Sequence, residues 1–96
     1  MSDDSAGGEL CNIAVIANQR GLHARAAARF VKVASGFQAE IAVVKDEMRV
    51  SARSIMGLMM LAATQGSTIR ICGSGADAPL AVAALAELVA RKFDEE

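Results

Sequence analysis

The chain has 96 residues, 53% of them hydrophobic, which is enough for one small core and leaves no room for a second domain. Its three aromatic residues are all Phe; without Tyr or Trp, and with a pI near 5.8, it is poorly equipped to stack nucleic-acid bases or sugars. The net charge of −1 conceals an acidic pair of ends (Asp3, Asp4, Glu9, Asp94, Glu95, Glu96) and a basic middle, since residues 20–53 carry seven bases against three acids, leaving that segment at +4. These bases are either solvated faces of ordinary helices and a hairpin or a surface that steers an acidic partner.

Met1 to Glu9 is small, polar and acidic, so it is expected to be a disordered leader and lacks the basic-then-apolar pattern of a signal peptide. The remaining residues, 10–96, are expected to form one domain. Leu10 to Ala17 alternates and is rich in Ile and Val, which predicts a strand ended by Asn18 to Gly21. From His23 the period changes: Ala27, Phe30, Val31 and Ala34 form an apolar stripe opposite Arg25, Arg29 and Lys32, and Gly36 stops the helix. Ala39 to Val44 and Met48 to Ser51 predict two strands joined as a hairpin across Lys45-Asp46-Glu47. Ser54 is placed to cap a short helix from Ile55 to Leu61, which Gly57 weakens by about 1 kcal/mol unless close packing compensates.

After the turn at Gln65-Gly66, Ser67 to Cys72 alternates again, with Ile69 and Ile71 on one face and Thr68, Arg70 and Cys72 on the other, and Gly73-Ser74-Gly75 ends the strand. Asp77 then caps a last helix with Pro79 in its first turn and Val82, Leu85, Leu88 and Val89 as its buried stripe. The order strand, helix, strand, strand, helix, strand, helix predicts an α+β domain with an antiparallel sheet covered on one side by helices. The longest apolar run, Ile55 to Ala63, is far too short to span a membrane. Cys11 and Cys72 make no disulfide framework and sit at no metal-ligand spacing, so a cytoplasmic setting and no metal are expected.

His23 is the only histidine. At a helix start the unpaired backbone N–H groups favour a phosphate and disfavour a charged imidazole, and a neutral ring keeps a lone pair for nucleophilic attack. Arg25, two positions on, supplies a planar fork for phosphoryl oxygens. Taken by itself, a lone histidine reads first as an exposed or capping residue without consequence.

Gly21-Leu22-His23-Ala24-Arg25-Ala26-Ala27 resembles the active-site signature of the HPr family, the histidine-containing phosphocarriers of the phosphoenolpyruvate-dependent phosphotransferase system. Ser54-Ile55-Met56-Gly57-Leu58 resembles that family's second signature, around a regulatory serine. The two lie 31 residues apart in the family's order, and the likeness runs from Leu10 to Lys92. It implies an open-faced β-sandwich of four antiparallel strands covered on one face by three helices. It further implies that His23 accepts a phosphoryl group on Nδ1 from enzyme I and passes it to an enzyme IIA domain, with Arg25 holding the phosphoryl oxygens. Such a carrier is a monomer that needs no cofactor and is not a self-sufficient enzyme.

In some members Ser54's counterpart is phosphorylated by HPr kinase/phosphorylase; the alternative here is that Ser54 is simply a cap. Arg20, Ala24 and Arg29, with Ile55, Leu58 and Met59, are the expected partner-binding residues, the last three being read otherwise as core packing. Many members have Pro where this chain has Ala26, which a helix start tolerates. Gly36-Phe37-Gln38-Ala39-Glu40-Ile41 and the ending Phe93-Asp94-Glu95-Glu96 resemble the nitrogen-related branch, whereas the Ser54 motif resembles the sugar branch. A regulatory interaction protein, whose phosphorylation state is the signal, is therefore the alternative function. As in the family, Cys11 and Cys72 lie on neighbouring strands if the first and last strands pair, and they are expected to be buried reduced thiols.

Overall fold

A computed structural model describes residues 8–95. Most of the expected leader, residues 1–7, lies outside the described residues. The elements are β1 (Leu10–Val15), α1 (Ala24–Ala34), β2 (Glu40–Lys45), β3 (Met48–Ser51), α2 (Ile55–Met60), β4 (Thr68–Ser74) and α3 (Ala78–Ala90), followed by a 3₁₀ turn at Lys92–Asp94. The strands form one antiparallel sheet in the order β1-β4-β2-β3. The first and last strands thus pair at one end of the order, and among the described residues β1 and β3 are the edges. Among the described residues, no helix is long and apolar enough to cross a membrane.

Alternation sends one set of side chains to the helices. Ala14 on β1, Ile69 and Ile71 on β4, and Ile41 and Val43 on β2 are buried beneath Ala27, Phe30 and Ala34 of α1 and Val82, Leu85, Leu88 and Val89 of α3. Phe93 closes this core from the C-terminal turn. Among the described residues the opposite face of the sheet is uncovered, giving the open-faced sandwich that the pattern and the resemblance imply. The hairpin between β2 and β3 turns at Asp46, which takes φ +54, a conformation its short polar side chain tolerates.

Four expectations are corrected. β4 runs on through Gly73 and Ser74, because Gly73 sits between Leu10 and Ile41 in the ladder and Ser74 pairs with Glu40; the neighbouring strands carry it past the glycine. Asp77 occupies the position before α3 but makes no capping bond: its carboxylate accepts from the Gln38 amide at 2.8 Å, tying the start of α3 to the loop before β2. Leu58 is fully buried in the core. Cys11 and Cys72, direct partners in the β1–β4 register, are joined in a disulfide, and Cys11 is exposed while Cys72 is buried.

Gly57 has its compensation. A Cβ there would lie 3.0 Å from Ser54 Oγ and 3.1 Å from Val50 Cβ, so the glycine lets α2 settle on β3 while its amide reaches the capping hydroxyl.

Candidate functional site

Gly21 makes the turn into the site. It takes φ +68, and a Cβ on it would meet the Ala63 carbonyl oxygen at 2.6 Å, so only glycine fits. This close approach lets the Leu22 amide donate to that same carbonyl at 2.9 Å, which ties the site loop to the segment following α2. Leu22 is buried and anchors the loop from below.

His23 then caps α1 with an extended backbone, φ −78 and ψ 179. Its carbonyl accepts the first helical bond from the Ala27 amide at 2.8 Å, and its Nδ1 accepts from the Arg25 amide at 3.3 Å. The other ring nitrogen, Nε2, meets the Glu95 carboxylate. An acceptor on Nε2 and a donor at Nδ1 select the tautomer with its proton on Nε2, leaving the lone pair on Nδ1 at the helix's positive end.

Glu95 is held in turn by Asn18, a wholly buried side chain whose Nδ2 donates to Glu95 Oε1 at 2.9 Å and to the Gly21 carbonyl at 2.8 Å. Burial pushes the Glu95 carboxyl up, but the bonds from His23 and Asn18, with the charges of His23 and Arg20, outweigh it and hold the group below the ordinary glutamate range.

Arg20, Arg25 and Arg29 line one side of an open cleft beside His23, and Phe93, Asp94 and Glu95 line the other. Arg29 reaches Asp94 at 3.5 Å, and Arg91 holds Asp94 at 2.9 Å. The Arg25 guanidinium has no ion-pair or hydrogen-bond partner among the described residues, so its fork is open to an incoming anion.

Ser54 caps α2, its Oγ accepting from the Gly57 amide at 2.9 Å. Of the apolar side chains named for docking, Ile55 and Met59 are exposed, and Leu58 is not; Met56 and Met60 are exposed in its place, Met56 at 73%. Ala24 is exposed at the first position of α1. α2 packs beside α1, the helix that carries Arg25 and Arg29.

The family model for the PTS HPr component phosphorylation site matches residues 11–91. The chain belongs to the HPr family of phosphocarriers. A phosphocarrier protein NPr from Shewanella violacea is 49% identical over 80 residues, covering 83% of this chain and 88% of the relative. A phosphocarrier protein HPr from Neisseria meningitidis is 48% identical over 80 residues, covering 83% and 90%. Among solved structures, an HPr from Thermoanaerobacter tengcongensis superposes with a TM-score of 0.83 at 44% identity, covering 93% of this chain and 98% of that one.

Two residues of this site escape sequence reasoning. Asn18 reads only as the end of a strand, and Glu95 as one acid of a solvated tail; Glu95 lies 72 residues from His23 in the chain, and no local pattern brings them together. The available signal is the unlike chemistry of the two segments: an acidic ending and a basic helix start attract one another.

Proposed function

We propose that this HPr-family chain carries a phosphoryl group on Nδ1 of His23, taking it from phosphorylated enzyme I and giving it to an enzyme IIA domain in the cytoplasm. The observation that carries this reading is the ring's arrangement, with Nε2 on the Glu95 carboxylate and Nδ1 against the first amides of α1. The Nδ1 lone pair attacks the donor's phosphorus as the donor's phosphorus–nitrogen bond breaks. Glu95 balances the positive charge that the doubly substituted ring acquires, or accepts its Nε2 proton. The Arg25 amide, now bonded to Nδ1, turns to a phosphoryl oxygen, and the Arg25 guanidinium pairs with the others. Arg20, Ala24, Arg29, Ile55 and Met59, with Met56, form the surface on which donor and acceptor dock. In the test, the chain is incubated with enzyme I and phosphoenolpyruvate. Acid-labile label on the wild type and none on His23→Ala is the expected result; label that persists in His23→Ala overturns the assignment.

Ser54 is the site of a second, regulatory phosphorylation in this reading. A phosphate there carries a charge of roughly −1.5 to −2 and faces the α2 amides while repelling an acidic partner surface. Incubation with HPr kinase/phosphorylase and ATP is expected to label Ser54, and no label, or label retained in Ser54→Ala, leaves the serine as a cap alone.

A regulatory role in a nitrogen-type system is the second reading. It is favoured by the relative named NPr at 49% identity and by the resemblance of residues 36–41 and 93–96 to that branch. Offering sugar-type and nitrogen-type enzyme IIA domains singly separates the two: uptake of label by the nitrogen-type acceptor alone supports it, and uptake by the sugar-type alone removes it.

A further inference from the structure

The uncovered face of the sheet carries a chemistry that phosphoryl transfer does not use. Cys11 on the edge strand β1 and Cys72 on β4 are register partners, bonded to one another, and they differ in access: Cys11 is exposed, whereas Cys72 is 1% exposed. The Glu9 carboxylate lies within 4.8 Å of both sulfurs, and it is paired with Arg49 and acted on by Arg70. A carboxylate beside the sulfurs disfavours a thiolate, the attacking species in exchange, and its pairing with Arg49 offsets part of that charge, so the order of reaction rests on access. A solvent-facing thiol directly opposite a buried one is the arrangement in which the first is reached from outside and the second can be reached only through the first.

We propose that Cys11 and Cys72 are a thiol–disulfide exchange pair, with Cys11 the sulfur at which a small-molecule disulfide enters and Cys72 the resolving sulfur, and that the bond clamps the edge strand β1. In the reduced chain the Cys11 thiolate attacks one sulfur of the external disulfide. That S–S bond breaks, and one thiolate leaves and takes a proton from water. The Cys72 thiolate, its own proton given to water, then attacks the Cys11 sulfur and expels the second external thiolate. Two protein thiols are oxidised to one disulfide, and one external disulfide is reduced to two thiols.

The clamp acts where the sheet is least protected. β1 is an edge strand with Ile13 70% and Val15 54% exposed, and it leads through Ile16 and Asn18 directly into the loop that presents His23. With the bond formed, β1 cannot leave β4 without the rest of the sheet.

Reduced protein is placed in mixtures of reduced and oxidised glutathione, quenched by alkylation and read by mass spectrometry. The wild type is expected to pass to the internal disulfide and retain no glutathione. Cys72→Ser is expected to accumulate glutathione on Cys11, and Cys11→Ser to take it up at least tenfold more slowly. A wild type that remains as two alkylatable thiols when oxidised glutathione is in excess overturns the pair, and equal uptake by the two variants overturns the order of attack. The clamp is read on the wild type alone. Amide exchange across β1 is expected to be at least tenfold slower in the oxidised than in the reduced protein, and equal rates overturn it.

Discussion

The imidazole of His23 is not left to set its own orientation. Asn18, buried, points Glu95 at the ring, and Glu95 fixes the proton on Nε2, so the nitrogen left with its lone pair is set by a residue 72 positions away and by a second, wholly buried one. The Glu95 carboxyl is held below its ordinary range in the folded chain, against burial, by these same contacts. A carboxyl whose folded pKa is lowered contributes stability that is fully present above its unfolded value of about 4.3 and is lost as pH falls through the folded value. Glu95→Gln removes that contribution. The stability difference between wild type and Glu95→Gln, from chemical denaturation across pH, is therefore expected to be constant at neutral pH and to shrink as the pH is taken below about 4. A difference independent of pH would mean that Glu95 acts by shape and not by charge. The same variant is expected to accept phosphoryl groups more slowly than wild type, because Nδ1 no longer has its tautomer imposed.

At the level of elements, α2 divides its apolar residues between two tasks. Leu58 is wholly buried, while Met56 and Met60 face solvent, so one six-residue helix supplies both a core anchor and a pliable surface. Leu58→Ala is expected to cost about 2–5 kcal/mol of stability, and Met56→Ala less than about 0.5 kcal/mol, as measured by denaturant unfolding. In the proposed acceptance from enzyme I the order is expected to reverse, with Met56→Ala weakening docking and Leu58→Ala acting only through stability. This division also marks how far the sequence can be read. Among the described residues the four strands and three α-helices are visible in the periodicity, and so is the glycine-led start of the site, because those signals are local: Gly21 before His23, Ser54 before Ile55, alternation from Leu10 and again from Ser67. What stayed hidden depends on neighbours far along the chain. Asp77 looks like a cap until Gln38 takes its carboxylate, β4 seems to end at Gly73 until Glu40 and Ile41 pair beyond it, and a six-residue apolar run does not say which of its faces the sheet will cover.

For the molecule as a whole, charge and covalent connection are arranged on opposite sides. The basic cleft and the methionines of α2 lie with the helices, and the disulfide lies on the uncovered face of the sheet. The disulfide spans 61 residues and encloses α1, the β2–β3 hairpin and α2, with α3 and the C-terminal turn outside the loop. Closing a loop of that length removes unfolded-state entropy worth on the order of 4 kcal/mol. A domain of this size has only about 5–15 kcal/mol in total, so the oxidised and reduced forms differ by a large share of their stability. For a chain under a hundred residues each kcal/mol moves the melting temperature by about 4–8 °C, so reduction is expected to lower it by on the order of 20 °C. Thermal unfolding with and without a dithiol reductant measures this directly, with Cys11→Ser as the variant that must match the reduced wild type and be insensitive to reductant. A melting temperature that falls by no more than a few degrees would mean that the hydrogen bonds of the β1–β4 ladder already confine the chain as tightly as the covalent bond does. In that case the bond's effect would be confined to β1 itself, where amide exchange reads it, and the helical face that carries His23 would keep its stability in either redox state.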